Sequence, residues 1–352
     1  MPSLPNRRSC YKGTVTELPA RAEVVIVGAG FAGAATAWAL ARRGVAAVVV
    51  LERERELGRF ASGRSAGLGR QLAEDDHTTA LTVRGAQLLR ELPVWTPTGG
   101  VLSFGAAAEA DEYAARAGRH GVTVEVIDHA GVLARWPELA DLRVARALWV
   151  ASDGVIDVHA LLRSYVHGVQ LFAQTPVERI EPGPVVVTPR GRIAARVVVD
   201  AAGAWAGLLT GDPPLDAYKR HVFVLDAERE AGAPWLWHLG DGELYLRGDA
   251  SGVLASPCDA SRSEPGHQEP DLVGEEHLRK LLDDVAPELA GARITRRWAC
   301  QRAFAPDRRM RVGRDPERPW LVWAAALGGH GATASPAVGE LAADAVIAAL
   351  AT

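Results

Sequence analysis

The chain has 352 residues, 48% of them hydrophobic and 23% charged, with a formal net charge of −4. These values indicate a soluble globular protein with room for two domains, and they argue against a general nucleic-acid-binding or anionic-membrane surface. Three cysteines, Cys10, Cys258 and Cys300, are too few for a disulfide framework, and no apolar segment follows the N-terminal arginine pair. We therefore expect a cytoplasmic protein without an integral membrane segment.

The first predicted elements form a βαβ unit. A run of β-branched residues leads into Gly28-x-Gly30-x-x-Gly33, a helix follows, and a second buried strand ends at Glu52, 24 residues after Gly28. Gly28 permits a tight turn, Gly30 lets the backbone approach a pyrophosphate, and Gly33 lets helix and strand pack closely. The acid at Glu52 suits ribose hydroxyls and disfavours the 2′-phosphate of NADP. The unit predicts dinucleotide binding at the helix N-terminus.

Strands and helices are predicted to alternate through the middle of the chain. Asp157 is predicted to cap the N-terminus of a helix, and two strands flank a turn at 189–191. Ala202 and Gly203 are predicted to open a further helix. Residues 216–255 alternate between apolar and polar side chains, which predicts an antiparallel sheet.

The last part of the chain is predicted to contain a long polar loop at 256–270 and an amphipathic helix at 273–290. A strand and a glycine-rich loop follow, and then a helix with Ser335 as N-cap and Pro336 at its first position. Two helix N-termini from opposite ends of the chain suit a long ligand, with one at its phosphates and the other at its redox ring.

Six segments in this order resemble the FAD-dependent amine and D-amino-acid oxidoreductases, which include sarcosine and glycine oxidases and D-amino-acid dehydrogenases. The segments are VVIVGAGFAG…VVVLE, ASGRSAGLGRQ, DGVIDVHALL, VVVDAAGAWA, WACQRAFAPD and GGHGATASPAVGELAADAVI. The resemblance covers roughly residues 22 to 351 and implies FAD as cofactor. It implies an α/β fold with a discontinuous Rossmann-like FAD-binding domain of the glutathione-reductase type (22–75, 130–215 and 301–352). An α+β substrate domain with an antiparallel sheet would comprise 76–129 and 216–300.

The resemblance also implies which residues bind FAD. The ADP half would be held at the fingerprint and Glu52, the adenine would meet the backbone of Val177, and the isoalloxazine ring would meet the C-terminal glycine loop. A helix N-terminus at that loop would also stabilise negative charge on the reduced ring near N1. The implied cofactor-binding residues are Gly28, Gly30, Phe31, Ala32, Gly33, Glu52, Arg64, Ser65, Ala66, Gly67, Val177, Ala202, Gly203, Trp205, Cys300, Gly329, His330, Gly331, Ala332 and Thr333.

Oxidation of an amino acid by flavin moves a hydride from Cα to N5, so the protein must hold the substrate carboxylate and position Cα. Arg302 matches the family's carboxylate-binding arginine, and Tyr245 a tyrosine that supports the same carboxylate. Arg220 matches a second arginine in D-amino-acid dehydrogenases, and Arg70 matches an arginine over the flavin face in sarcosine oxidases. The alternatives are surface charges for the arginines and sheet packing for the tyrosine. His330 is a candidate base, although stacking or packing beside the flavin is the favoured reading.

Cys300 matches, by spacing, a cysteine that bonds the flavin 8α-methyl group in monomeric sarcosine oxidases. A buried small residue is the other reading, and we expect noncovalent FAD. The resemblance implies polar residues in the loop after GRSA and an acid in the next domain for arginine-specific dehydrogenases. This chain has Leu68, Ala73 and the uncharged stretch 96–100 there, which argues against a guanidino substrate. Oxidases of the family carry an oxygen-activating lysine in the sheet of the substrate domain, and the absence of a lysine between Lys219 and Lys280 argues against efficient use of oxygen.

Trp235 and Trp237 fit either an aromatic wall of the substrate pocket or the core, and no metal site is predicted. We expect dehydrogenation of the C–N bond of an amino acid or a small carboxylate-bearing amine, giving an imine that water converts to a keto acid or aldehyde. Electrons would pass to oxygen or another acceptor. The alternatives are a 2-hydroxy-acid or polyol dehydrogenase on the same scaffold, a non-catalytic FAD-binding subunit and an NAD-dependent enzyme.

Overall fold

The structure, a computed structural model, describes residues 17–137, 139, 142, 144–240 and 242–352. The strands are β1 (Arg21–Val27), β2 (Val48–Leu51), β3 (Leu68–Gly69), β4 (Trp95–Thr96), β5 (Gly100–Phe104), β6 (Glu125–Ile127), β7 (Arg146–Val150), β8 (Gly154–Ile156), β9 (Gln170–Phe172), β10 (Arg179–Glu181), β11 (Val185–Thr188), β12 (Gly191–Asp200), β13 (Asp216–Leu225), β14 (Trp235–Leu239), β15 (Leu244–Asp249), β16 (Gly252–Ser256), β17 (Ser261–Arg262), β18 (Ile294–Phe304), β19 (Arg311–Arg314) and β20 (Leu321–Ala325). The helices are α1 (Phe31–Arg42), α2 (Asp76–Leu89), α3 (Ala107–Arg119), α4 (His129–Leu133), α5 (Val158–Tyr165), α6 (Leu272–Val285), α7 (Pro287–Ala290) and α8 (Gly331–Leu350), with 3₁₀ turns at Gly203–Trp205 and Leu208–Thr210.

The first sheet has a parallel core in the order β9-β2-β1-β12-β20. The hairpin of β10 and β11 extends β12, and β19 pairs antiparallel with β20. One face is covered by α1 and α8, whose buried residues form a common core with those of β1 and β12. The predicted βαβ unit is therefore present at the centre of this sheet, and the C-terminal helix packs beside it.

The second sheet has nine strands, in the order β18-β13-β16-β15-β14-β5-β7-β6, with β17 also pairing with β13. All neighbours are antiparallel except β14 and β5. One face is covered by α6, α7 and α4. The other carries a core of aromatic and aliphatic residues that includes Ala66 and Leu68, so this face packs towards the segment after the fingerprint. Strands β3, β8 and β4 form a small third sheet between the two.

The α/β architecture matches the prediction, while the two-domain division stays a prediction in its exact bounds. Strand pairing departs from that division at β7, which the sequence reading placed with the FAD-binding segments. β7 pairs with β5 and β6 in the second sheet. Its apolar residues Ala147, Leu148 and Val150 are buried on the two faces of that sheet. A short apolar strand carries no information about which sheet will pair with it, and this is why the assignment differed.

The start of the C-terminal helix was predicted wrongly. α8 begins at Gly331 with His330 as N-cap, so Ser335 and Pro336 lie inside it. Pro336 lacks the N–H that would bond to Ala332 O, and the Ser335 hydroxyl donates to that oxygen instead at 3.4 Å. The helix therefore begins several residues closer to the glycine loop.

Two other helices also differ from their predictions. The segment after Ala202 forms a 3₁₀ turn and not an α-helix. The predicted helix at 273–290 is divided into α6 and α7, because Pro287 begins a new helix after Ala286 leaves helical geometry.

Among the described residues, α8 is long and apolar enough to cross a membrane by length and composition alone. More than half of its apolar window is buried, and it packs against α1 and α2. A buried core helix of this kind passes the same test, so α8 is weak evidence for a membrane span.

Candidate active site

A long cleft runs along the edge of the first sheet and gathers segments from both ends of the chain. It extends from the turn after β1 to the second sheet. Most of the predicted cofactor-binding residues line it: Gly28, Gly30, Phe31, Ala32, Glu52, Arg64, Ser65, Val177, Ala202, Gly203, Trp205, Cys300, Gly329, Gly331 and Ala332. Arg302 lines it as well. Residues that are 300 positions apart in sequence thus share one binding cleft.

The glycines of the fingerprint lie where their lack of a side chain matters. Gly28 has φ +98°, and a Cβ there would lie 2.6 Å from Ala201 O. A Cβ at Gly33 would lie 2.0 Å from Gly28 O, so Gly33 lets α1 pack under the turn. Gly30 is the N-cap of α1 and offers no side-chain cap. Phe31 donates its N–H to Ser62 Oγ at 2.9 Å.

Glu52 holds the glycine turn directly. Its Oε2 accepts the N–H of Ala29 and its Oε1 the N–H of Glu54, each at 2.9 Å. Burial raises the pKa of this carboxyl from its ordinary value. The side chain therefore stabilises the turn, and its bond to a ribose stays a prediction.

An aromatic cluster at this end of the cleft was not predicted. The Arg53 guanidinium lies 4.6 Å from the ring centroid of Trp205, and Phe60 meets Trp205 edge to face at 4.8 Å. All three line the cleft beside Glu52. Phe60 lies in an irregular segment without hydrophobic periodicity, so the sequence did not single it out. Trp205 was predicted because it belongs to the AAGAWA motif.

Five predicted cofactor-binding residues do not line the cleft: Gly33, Ala66, Gly67, His330 and Thr333. Gly67, with φ +68°, lets the chain pass Ile156 O, where a Cβ would lie at 2.5 Å. Ala66 is buried, and Thr333 donates from its hydroxyl to Leu68 O at 3.0 Å. These residues fix the segment after β2 to the start of α8.

The described residues fit a dinucleotide with a redox ring. The N-termini of α1 and α8 both open on the cleft, and neither N-cap residue makes a side-chain capping bond. The positive dipole end of each helix suits negative charge, although the first N–H of α1, at Phe31, already donates to Ser62 Oγ. Gly28 and Gly329 both line the cleft at these helix starts. FAD therefore fits the cleft, and the expectation that α1 meets the pyrophosphate and α8 the ring stays a prediction.

The predicted substrate residues meet on one face of the second sheet. Tyr245 pairs with Trp237 across β15 and β14, and Arg220 pairs with Cys300 across β13 and β18. Cys300 and Arg302 are two residues apart on β18, so they project from the same face. This face carries the apolar core that packs towards the cleft.

Several polar atoms on and beside this face are buried without a hydrogen-bond partner among the described residues. They are Arg220 Nε, Trp237 Nε1, Tyr245 Oη and Arg302 Nε, together with Arg70 Nη1 and His330 Nε2, which lie off the sheet and whose side chains contact Glu74. The arginine and tryptophan nitrogens can only donate a hydrogen bond, and His330 Nε2 donates when it carries a proton. Burial raises the pKa of Tyr245 to about 12, so its hydroxyl is protonated and able to donate. Unpaired buried donors are costly, and together they point to an anionic ligand.

Arg70 and His330 are joined by an acid that was not predicted. Glu74 accepts from Arg70 Nη2 at 2.5 Å, and its other oxygen lies 3.2 Å from His330 Nε2, outside hydrogen-bond geometry. The Arg70 guanidinium also lies 4.2 Å from the ring centroid of Trp237. Partial desolvation opposes the charge of the half-exposed Glu74 carboxylate, but Arg70 and His330 hold its pKa well below the ordinary value. His330 thus lies beside a carboxylate at the start of α8.

Arg64 ties the polar loop to the cleft. It donates to Ala299 O at 2.6 Å and contacts His267 Nδ1 at 3.0 Å. Burial lowers the pKa of this guanidinium. Gln301 binds the same loop through Ser263 Oγ at 2.8 Å. The predicted role of Arg64 at the pyrophosphate remains a prediction.

Cys300 is buried, and burial raises the pKa of its thiol. Cys258 is also a free thiol, while Cys10 lies outside the described residues. Trp235 is a core residue whose indole donates to Gly154 O at 3.0 Å. Among the described residues, no group of three or more potential ligands could hold a metal ion.

The cleft opens on helix N-termini from both ends of the chain and lies beside a sheet face that carries arginines. This arrangement is typical of flavin-dependent oxidoreductases that are built from two sheets. The family model described as DAO, FAD dependent oxidoreductase, matches residues 23–345. The chain therefore belongs to this family of enzymes, and FAD is its cofactor.

Individual relatives are distant. Rat mitochondrial dimethylglycine dehydrogenase is 27% identical over 308 residues, which is 77% of this chain and 36% of that protein. The chain thus spans about a third of that relative. Monomeric sarcosine oxidase of Bacillus sp. (strain B-0618) is 25% identical over 91% of this chain and 90% of that protein. The crystal structure of L-proline dehydrogenase from P. horikoshii superposes with a TM-score of 0.84 at 24% identity, covering 93% of each chain.

Proposed function

We propose that this protein dehydrogenates the C–N bond of an amino acid or a small amine that bears a carboxylate. The single observation that carries the proposal is the unpaired guanidinium of Arg302 in the FAD cleft, close to Tyr245. Arg302 lies beside the glycine loop at the start of α8, where a Cβ on Gly329 would be 2.2 Å from Nη1. A planar guanidinium binds a carboxylate through two parallel hydrogen bonds, which fixes the orientation of the substrate.

The chain's own residues have three tasks in this reaction. Arg302 and the Tyr245 hydroxyl hold the substrate carboxylate, so that Cα lies over the flavin ring. Trp237, packed 5.1 Å from Tyr245 between ring centroids, excludes water from one side. The start of α8 stabilises the negative charge of the reduced ring.

When bound, FAD supplies a two-electron acceptor for the hydride that leaves Cα. The amine nitrogen releases a proton, and the imine formed in this way is hydrolysed by water to a keto acid or an aldehyde and the free amine. No residue of the chain needs to remove the Cα proton. Oxygen or another acceptor takes the two electrons, and the missing lysine between Lys219 and Lys280 favours another acceptor.

The direct test is anaerobic mixing of the purified holoenzyme with amino acids, N-methyl amino acids and 2-hydroxy acids, followed by flavin absorbance. Bleaching by amines supports the proposal. Bleaching by hydroxy acids alone would assign the protein to the alternative dehydrogenase class. Bleaching by neither, with unaltered FAD binding in Arg302→Ala, would indicate a non-catalytic FAD-binding subunit, and a colourless protein would favour an NAD enzyme.

Two further assignments belong to this proposal. We infer noncovalent FAD, because the raised pKa of the Cys300 thiol disfavours the thiolate that a bond to the flavin requires. We also infer a cytoplasmic location, since the few cysteines suit a reducing compartment.

A further inference from the structure

The substrate side of the cleft carries more positive charge than one carboxylate requires. Among the described residues, neither Arg220 nor Arg302 forms an ion pair, and each has a buried Nε without a partner. Arg70, by contrast, is neutralised by Glu74. The side chains of Arg220 and Arg302 are partly buried, and the cost of placing two such cations side by side falls when anions bind them.

Register shows how the two guanidinium groups are arranged. Arg220 lies opposite Cys300, and Arg302 lies opposite Tyr218, so the two arginines are diagonal neighbours on adjacent strands. Such a diagonal separates Cβ atoms by roughly 7 Å. Both side chains project from the sheet face that carries Cys300, and Cys300 and Arg302 line the cleft. Arg302 lines the cleft and Arg220 does not, so the second anionic group of a small molecule bound at Arg302 would have to reach about 7 Å along the sheet face to meet Arg220.

Burial lowers the pKa of the Arg220 guanidinium, but Cys258, Tyr245, Glu243 and Asp259 raise it overall, without an ion pair to either acid among the described residues. Asp259 faces Arg220, but its two oxygens accept from the backbone N–H and the Nδ1 of His221 at 2.8 and 2.7 Å. Glu243 also contributes to the electrostatics of Arg220, yet it forms no ion pair with that residue within the described part of the chain. One monocarboxylate bound at Arg302 would leave Arg220 without an ion-pair partner among the described residues.

We propose that the preferred substrate is an amine with two carboxylates, one held by Arg302 and Tyr245 and the second by Arg220. An acidic amino acid or an N-carboxyalkyl amino acid has this chemistry. The inference rests on the proposed amine dehydrogenation for its reaction, but the binding of a dianion is independent of turnover.

Activity is tested with pairs that differ in one charge: glutamate against glutamine, aspartate against asparagine, and iminodiacetate against sarcosine, using both enantiomers where they exist. We expect kcat/KM for the dianion to exceed that for its partner at least about tenfold in the productive pair. In Arg220→Met this ratio should fall to near one. Arg297→Met, which removes an exposed arginine paired with Glu275 on the other face of β18, should keep the ratio of the wild type.

Binding is tested without turnover by titrating the holoenzyme with glutarate and with its monoamide, glutaramate, followed by calorimetry and by the flavin spectrum. Tighter binding of glutarate, lost in Arg220→Met and partly restored in Arg220→Lys, supports the inference. Equal binding of the two, with amine turnover present, would overturn it and leave the proposed function standing. Preferred glutarate binding without any amine turnover would instead refute the proposed function alone. Flavin content and thermal unfolding show whether each variant is folded.

Discussion

The Arg302 guanidinium lies against the backbone of Gly329, so close that a Cβ on Gly329 would come within 2.2 Å of Nη1. Gly329 has φ +98°, a conformation that side chains rarely adopt. One glycine thus allows both the sharp turn before α8 and the approach of the proposed carboxylate ligand. The two predicted sites, for the flavin ring and for the substrate, are in direct contact at this point.

Gly329→Ala is expected to weaken FAD binding and to displace Arg302. The added methyl group meets both an unfavourable φ and the guanidinium, so the dissociation constant of FAD should rise at least about tenfold. Quenching of flavin fluorescence on binding to the apoprotein measures this change. Gly168→Ala is the control, because Gly168 has φ +76° with no atom near its Cβ position and lies outside the cleft. Equal FAD affinity in the two variants would contradict the contact.

Arg302→Lys should keep FAD and lose most of the activity. Lysine retains the charge but not the planar fork, and loss of an oriented charge-assisted pair lowers kcat/KM by about a hundredfold. Stopped-flow reduction of the flavin at several substrate concentrations measures it. Arg262→Lys, at an exposed position paired with Asp216, should behave like the wild type. Wild-type kinetics in Arg302→Lys would remove Arg302 from the substrate site.

Glu74→Gln should uncouple Arg70 from His330. Because the folded pKa of Glu74 is depressed, its stabilising contribution is present above the unfolded pKa near 4.3 and is lost as pH falls below that value. The Glu74 side chain is 49% exposed, so screening limits the loss at pH 7 to about 1 kcal/mol or less. Urea unfolding at pH 7 and pH 3.5 measures it, with a smaller difference between wild type and variant expected at pH 3.5. A difference that is larger at pH 3.5 would refute this role.

Asp153 should make the protein less stable as pH rises. Its Oδ1 accepts two bonds from Gln71, Oδ2 is buried without a partner among the described residues, and burial raises its pKa to about 7. An unfolded aspartate titrates near 3.9, so between about pH 4 and 7 the folded state holds the extra proton and stability falls with rising pH. Asp153→Asn should remove this pH dependence, which lowers the free energy of unfolding by up to about 4 kcal/mol between about pH 4 and 7.

Unfolding free energies at pH 5 and pH 8 test the role of Asp153. Asp284→Asn, at an exposed position in α6, is the control and should keep the slope of the wild type. A slope that survives in Asp153→Asn would mean that other groups cause it.

Cys300→Ala should bind FAD as the wild type does. Acid precipitation of wild type is expected to release yellow flavin into the supernatant, because a protonated buried thiol does not attack the flavin. The absorbance of the supernatant and of the pellet distinguishes noncovalent from covalent FAD. Yellow colour that stays in the wild-type pellet and leaves it in Cys300→Ala would establish a covalent link.

Local patterns predicted the fingerprint, the helix capped by Asp157 and the antiparallel sheet, because each depends on neighbours in sequence. Asp157 indeed accepts from His159 and Ala160 at the start of α5. The pairing of strands that are distant in sequence could not be predicted from local patterns. Alternation along β18 places Cys300 and Arg302 on one face, but only the register with β13 brings Arg220 beside them.

The start of α8 shows a second limit of local reading. Ser335 and Pro336 have the composition of a helix start, yet the serine hydroxyl replaces the missing backbone donor and the helix continues towards its true N-terminus. Glu74 was missed for another reason: it follows an irregular segment, and its partners Arg70 and His330 are far apart in sequence. Its contact with both depends on the packing of α2 on α8, where Gly85 passes Thr333 O.

The cleft draws its walls from β1 and α1 near the start of the chain and from α8 near its end. During synthesis on the ribosome, the fingerprint emerges some 300 residues before α8, which supplies the opposite wall of the cleft. We expect high-affinity binding of the cofactor only after α8 has docked, because both walls of the cleft are needed. A bound nucleotide would then contact the first and the last walls of the cleft to be synthesised, so that retention of flavin would report on completed folding.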